Sequence, residues 1–360
     1  MSARALFIAA AAQYRPLSAL FELTHRCHLA CKHCYLDDNH HWHDKARELT
    51  TAEAADAITQ LRAAGNMFLT ISGGETFVRP DLFALLRHAR ELGLAVTLFT
   101  TGTLLREKHL PELARLYLRG VELSLYSDQA EIHDAITQQP GSHAKTMRAT
   151  KLLIAHSIPV TLKCPLMQPN AASYPGLKQL AKQLGVALTV DATLTATNAG
   201  KRAPLDLRLT EAQLVAFHSQ PELRRTLNKT PDKDAAICGI GKRSCVIGPF
   251  GDVYTCLGYQ RSLGNLREQR FNDIWSDTGA LYTLRRLRVR DLPVCGSCEK
   301  SSYCGRCAGS ALLEEGDFNA PSRWACQQAA AQERASGTEP QPSAAQRMGR
   351  YTRRNLPIVR

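Results

Sequence analysis

The chain has 360 residues, 44% of them hydrophobic, and a formal net charge of +12. That length buries an ample core and leaves room for one large domain plus a small one. No run of eighteen or more apolar residues occurs, which excludes a membrane-spanning helix. Twelve cysteines in so long a chain argue against the disulfide framework typical of short secreted proteins.

The start, "MSARALFIAAAAQYRP", carries weak charge, and Arg15 and Pro16 close its apolar run without a clear cleavage site. It reads as a buried first strand or helix, not a signal peptide. "SALFELT" (18–24) reads as a strand, and "TAEAADAITQLRAAG" (51–65) as a helix with Thr51 as N-cap and Gly65 as stop. The alternation continues with strand 67–72, helix 80–93, strand 94–100, helix 105–120 broken at Pro111, and strand 121–126. Helix 142–157, strand 158–166, helix 174–185 and strand 186–194 follow. Strands alternating with helices of this length imply a parallel sheet with right-handed crossovers. Six such units fit an α/β fold, an incomplete TIM-like (β/α)6 barrel whose active site lies at the C-terminal ends of the strands.

From about Lys201 the alternation stops. A helix at 210–219 leads into a loop-rich region dense in cysteine. The expected organisation is an N-terminal segment 1–17, a barrel 18–200, a small metal-built domain 201–336 and a disordered basic tail 337–360. Much of the positive charge sits in "LRRLRVR" (284–290) and in that tail. A solvated helix face and a frayed terminus account for both, so neither nucleic acid nor membrane is expected.

Eleven of the twelve cysteines fall in two groups, 27–34 and 238–326. The first is Cys27, Cys31 and Cys34, spaced CxxxCxxC on the loop after the first strand. Three thiolates hold three irons of a four-iron cluster and leave the fourth open. A zinc site would need a fourth closed ligand, for which His25, His28 or His33 are candidates. "SGGET" (72–76) follows the second strand, "TTG" (100–102) the third and "SLY" (124–126) the fourth. Paired glycines allow close backbone approach.

Taken together, these motifs resemble the signature of radical S-adenosylmethionine (SAM) enzymes. The resemblance implies that SAM completes the cluster ligated by Cys27, Cys31 and Cys34. Reductive cleavage of SAM would then give a 5′-deoxyadenosyl radical that abstracts hydrogen from substrate. It further implies SAM contacts at Gly73, Gly74 and Glu75, with Thr76 where the family usually has Pro. Others are implied at Thr101, at Ser124, and at His33, which stands at a position that is usually aromatic. An electron donor such as flavodoxin or ferredoxin is implied as well.

The remaining cysteines, Cys238, Cys245, Cys256, "CGSCEKSSYCGRC" (295–307) and Cys326, form a pattern similar to the SPASM extension of these enzymes, including its "GDVYTC" (251–256). It departs by one residue, CxxCx5CxxC in place of CxxCx5CxxxC, at Cys307. The resemblance implies two auxiliary four-iron clusters, three in all. Cys238, Cys245, Cys256 and Cys307 would hold the first, and Cys295, Cys298, Cys304 and Cys326 the second. Two zinc ribbons are the alternative.

Other candidates are weaker. "HHWH" (40–43) is a metal-binding or substrate-contacting loop. Lys163, Cys164 and Asp191 stand at the ends of the fifth and sixth strands, where polar residues tend to be functional. A lone cysteine such as Cys164 is more commonly a small buried hydrophobe.

SPASM proteins mostly act on peptides. The resemblance therefore implies a cytoplasmic, oxygen-sensitive enzyme that matures a ribosomally made precursor peptide by cross-linking, epimerisation or excision. "SLYSDQAEIHDAITQQPGS" (124–142) is similar to the matching segment of such maturases. Only about twenty residues precede the first strand, too few for an independent leader-binding domain, so leader recognition would need a separate protein. An anaerobic sulfatase maturase is a second reading. That family has Asp directly after the cysteine of its GxxxxC motif, and here Leu257 follows Cys256. A haem-pathway decarboxylase is a third, and a non-catalytic metal- or RNA-binding module a fourth.

Overall fold

The computed structural model describes residues 3–36, 42–223, 232–277 and 279–337. The chain order is α1 (Ala3–Ala12), β1 (Ser18–Thr24), α2 (Thr51–Ala63), β2 (Phe68–Gly73), α3 (Leu82–Glu91), β3 (Ala95–Thr100), α4 (Leu110–Arg115) and β4 (Gly120–Ser124). Then come α5 (Ala130–Thr137), α6 (Ser142–Ala155), β5 (Val160–Pro165), α7 (Tyr174–Leu184), β6 (Ala187–Asp191) and α8 (Glu211–Ser219). The second segment holds β7 (Ser244–Ile247), β8 (Asp252–Tyr254), β9 (Gly264–Asn265), α9 (Phe271–Ile274), α10 (Gly279–Arg286), α11 (Ala308–Glu315) and α12 (Arg323–Ala335).

The strands form one nine-stranded sheet in the order β6-β5-β4-β3-β2-β1-β7-β8-β9. Strands β1 to β6 are parallel neighbours in sequence order, as the alternating pattern requires. The cysteine-dense segment adds to the same sheet: β7 pairs in parallel with β1, and β8 and β9 follow antiparallel.

Side chains alternate across each strand. Phe21, Leu23, Leu69, Ile71, Val96, Leu98, Val121, Leu123 and Leu162 enter the main core beneath the helices. Their neighbours Glu22, Ser72, Phe99, Glu122, Ser124 and Lys163 face the other way, into the barrel. In register, Glu22 stands opposite Ser72, Phe99 opposite Glu122, and Ser124 opposite Lys163. The chain thus places a polar interior beside the loops that follow β1 to β4.

Several local expectations change. Helix α1 forms, but among its described side chains only Ala10 is buried, and Ile8 is exposed. The N-cap of α2 is Thr50, not Thr51. Thr50 and Glu53 close a reciprocal capping box, which the spacing Thr-x-x-Glu specifies. Helix α5 fills the stretch between the expected strand 121–126 and the expected helix 142–157. Arg285, in the segment read as a solvated face, is 1% exposed. Its guanidinium donates to the carbonyls of Gly241 (2.6 Å), Trp275 (3.0 Å) and Ser276 (3.1 Å) and lies over the Tyr14 ring. It ties α10 to the N-terminal segment. Among the described residues no helix is long and apolar enough to cross a membrane. The tail 338–360 lies outside the described residues, as do His40 and His41 of the histidine-rich loop.

Candidate functional site: three groups of thiols

The loop after β1 carries Cys27, Cys31 and Cys34 to one cavity of about 230 Å³. Gly73, Gly74, Thr101, Ser124 and His33 line it as well, together with Phe99, Glu122 and Lys163 from the barrel interior. The structure therefore gathers the first cysteine group and the strand-end motifs at one place.

A buried ion network holds this loop. Arg26 donates to both oxygens of Glu48, at 3.0 and 2.8 Å. Arg79 donates to the carbonyls of Leu23 and Leu49, each at 3.0 Å, and pairs with Asp81. The far side of the loop docks on α5, through Ala30 N to Thr137 O (3.3 Å) and Lys32 N to Ile136 O (3.0 Å). These positioning residues carried no signal in the sequence, because the partners are far apart along the chain.

The two glycines of "SGGET" serve the loop as well as the cavity. A Cβ on Gly73, whose φ is +129°, would lie 2.1 Å from the carbonyl oxygen of Thr24. A Cβ on Gly74 would lie 2.4 Å from that of Arg26. The close approach is fixed by Gly74 N to Thr24 O (2.8 Å) and Glu75 N to Arg26 O (2.9 Å).

Glu75 is fully buried and does not line the cavity. Its carboxylate accepts from Thr100 Oγ1 (2.6 Å), Thr101 N (2.9 Å), Thr101 Oγ1 (2.5 Å) and Phe77 N (3.1 Å). The carboxylate thereby clamps the β2 loop to the β3 loop.

His33 is edge-on to Tyr126, with ring centres 4.7 Å apart. Burial pushes it down to about 4, so it is neutral at pH 7. Its Nδ1 is buried without a hydrogen-bond partner among the described residues. Lys163 Nζ sits 3.1 Å from Glu122 Oε2 and 3.8 Å from the centre of the Phe99 ring, facing the cavity.

Cys164 and Asp191 do not join it. Cys164 is 1% exposed, in the core and beside Tyr126 O and Asn170. Strand alternation sends it to the opposite face from Lys163. Asp191 is exposed on the edge strand and accepts from Thr193 N at 2.7 Å.

The donor set fits a polynuclear cation. Burial raises the Cys27 thiol to about 12, and Cys31 and Cys34 are raised by burial too. The negative charges of neighbouring thiolates act in the same direction on Cys27 and Cys31. Three thiolates packed together off water need a shared positive charge. Among the described residues no three His, Cys, Asp or Glu side chains close around a single ion. The thiols line cavities instead.

A second cavity, of about 300 Å³, is lined by Cys295, Cys298, Cys304 and Cys326 with Lys300 and Arg306. Burial pushes the Cys304 thiol up to about 12, and the other three thiols act on it by charge. These are the four cysteines that the resemblance assigns to the second auxiliary cluster.

The third group is not. Cys256 feels Cys307 and Cys238, and Cys238 feels Cys307. Cys245, expected with them, lies elsewhere. It sits on β7 opposite Ala19, 1% exposed in the main core. Burial alone raises its thiol. In this structure Cys245 packs with the main core, whereas Cys238 and Cys256 border a separate apolar cluster.

A model of the radical SAM superfamily matches residues 21–170, and one of the iron–sulfur cluster-binding SPASM domain matches residues 238–307. The PqqA peptide cyclase of Ruegeria pomeroyi is 31% identical over 321 residues, covering 84% of this chain and 85% of that protein. The AdoMet-dependent heme synthase of Methanosarcina barkeri is 28% identical over 335 residues, covering 84% and 94%. In fold, the chain is similar to Streptococcus suis SuiB bound to its precursor peptide SuiA, with a TM-score of 0.67 at 16% identity, over 90% of this chain and 79% of that one. With these matches laid over the thiol-lined cavities, the chain belongs to the radical SAM superfamily and carries a C-terminal SPASM iron–sulfur domain.

Proposed function

We propose that this radical SAM/SPASM enzyme matures a ribosomally made precursor peptide. The observation that carries the reading is the cavity in which Cys27, Cys31 and Cys34 meet the loops after β2 to β4 and open onto the polar barrel interior. Relatives of this chain include a peptide cyclase, and a fold neighbour holds its precursor peptide.

When bound, a four-iron cluster with SAM supplies the 5′-deoxyadenosyl radical that takes a hydrogen atom from substrate. The chain's own residues then have separable tasks. Cys27, Cys31 and Cys34 would hold three of its irons. The backbone of Gly73 and Gly74 offers polar groups beside them without side chains in the way. Thr101 and Ser124 present hydroxyls to the same space. Neutral His33 keeps a free ring nitrogen for a donor on the adenine side. Lys163, held by Glu122, gives a cation for a carboxylate of SAM or of the peptide.

Ten thiolates serve three clusters in this reading: three for SAM, Cys238, Cys256 and Cys307 for the first auxiliary cluster, and four for the second. The domain limits proposed from the sequence, 18–200 and 201–336, describe chain segments that share a sheet. Flavodoxin or ferredoxin as electron donor, a separate leader-binding protein and a cytoplasmic location remain parts of the proposal.

The test is anaerobic co-expression with each small peptide encoded beside the gene, followed by mass spectrometry. Loss of hydrogens in pairs marks a cross-link, solvent deuterium at an α-carbon marks epimerisation, and a larger loss marks excision. A second reading, haem-pathway decarboxylation, is favoured by the heme synthase match across 94% of that relative. Porphyrin turnover by the purified enzyme separates the two.

A further inference from the structure

Arg306 lies between two cysteines that go to different places. Cys304 belongs to the cavity of Cys295, Cys298 and Cys326, and Cys307 to the group of Cys238 and Cys256. The guanidinium is fixed at its base. Nε donates to Ala320 O at 3.2 Å, and Nη2 donates to Ala320 O at 2.8 Å and to Phe318 O. Those carbonyls sit in the turn between α11 and α12, so the side chain cannot swing to solvent without releasing them. The remaining nitrogen, Nη1, is buried and has no partner among the described residues. Arg306 also lines the second cavity. Its positive charge acts on Cys295 of the second cavity and on Cys238 of the other group.

A guanidinium stays charged in proteins and is rigid in shape. Hydrogen bonds and positive charge at cluster sulfurs favour the reduced, more negative state, and so raise the reduction potential. One cation aimed at both groups would shift both potentials in the same direction.

We infer that Arg306 is a positioning residue shared by the two auxiliary clusters. Its fixed guanidinium hydrogen-bonds the thiolate side of the second, adds positive charge beside the first, and keeps both reducible together. This rests on the reading that these cysteines carry iron–sulfur clusters.

The test uses the full-length chain with Cys27, Cys31 and Cys34 replaced by Ala, so that only auxiliary clusters report. Iron and sulfide are counted, and reduction is followed by electron paramagnetic resonance across a potential titration, for Arg306, Arg306→Lys and Arg306→Gln. The expected result is full iron in all three, with both midpoint potentials lowered in Arg306→Gln and largely kept in Arg306→Lys. Pulsed resonance of the reduced second cluster should lose an exchangeable-proton coupling in Arg306→Gln. Full iron in Arg306→Gln with unchanged potentials overturns the inference and leaves the cluster reading intact. Equal loss of iron in Arg306→Lys and Arg306→Gln also overturns it, since that is the mark of a structural strut. Absence of auxiliary iron in the parent chain overturns both.

Discussion

Replacing Gly74 by Ala tests whether the glycine pair holds the cysteine loop in place. The added Cβ would meet the carbonyl oxygens of Arg26 at 2.4 Å and of His25 at 2.6 Å. Ordinary contact is roughly 3.5 Å, so the loop must retreat by about 1 Å. The obstacles are backbone atoms, and the loop is pinned from behind by the Arg26–Glu48 pair and by α5. Relief therefore strains the hydrogen bonds Gly74 N to Thr24 O and Glu75 N to Arg26 O. Forced overpacking costs about 1–3 kcal/mol, and two weakened hydrogen bonds add about 1 kcal/mol each. The local penalty is about 3–5 kcal/mol. It falls on the three-thiol group and leaves the groups around Cys256 and Cys304 alone. After anaerobic reconstitution, Gly74→Ala should lose about one cluster's iron, and 5′-deoxyadenosine formation should fall about 100-fold, as expected for a 1 Å displacement of reacting groups. Full iron together with turnover within about twofold of the parent would refute the reasoning.

The other predictions concern distinct parts of the chain. Cys245→Ala should keep the full iron content and lose about 1 kcal/mol of stability from the core, whereas Cys256→Ala should lose the first auxiliary cluster; equal iron loss in both would return Cys245 to the ligand set. Glu75→Gln turns an amide toward donors that now meet a carboxylate, and should cost about 2–3 kcal/mol in urea unfolding of the apo chain; a change under about 0.5 kcal/mol, within the range of ordinary surface changes, would contradict the clamp. His133 is pushed down to about 4, first by burial and then by His143 beside it, and its Nδ1 accepts from Tyr126 N at 3.2 Å. The unfolded chain binds this proton more readily, near pH 6.5, so the contribution is complete above that pH and is lost as pH falls toward 4. The shift corresponds to about 3 kcal/mol. The pH dependence of unfolding should flatten in His133→Gln over this window, and identical slopes in parent and variant would exclude the assignment.

The barrel was legible because its signals are local. Each of the six strands is an apolar β-branched run, and each crossover helix carries a helical pattern. The same holds for the cysteine groups 27–34 and 295–304, where short spacing forces proximity. What escaped depends on contacts distant in sequence, or on a pattern not counted. Arg26 with Glu48, Arg79 with Leu23 and Leu49, and Arg285 with Trp275 are pairings that only the fold creates. Glu75 looked like a ligand-facing acceptor because no periodicity reveals that Thr100 and Thr101 would occupy it. Cys245 enters the ligand set through the family resemblance, whereas the structure places it in the main core. The apolar run "CVI", which β7 uses to join the sheet, was its available signal. Thr50 was overlooked as N-cap although Glu53 stands three residues on.

The most direct test of the account is mass spectrometry of a precursor peptide co-expressed anaerobically with this enzyme, in water and in deuterium oxide, beside a variant with Cys27, Cys31 and Cys34 replaced by Ala. The account predicts a mass change or an α-deuteron on a neighbouring peptide that disappears in the variant. An unmodified peptide from an enzyme that cleaves SAM and turns over a porphyrin would contradict it.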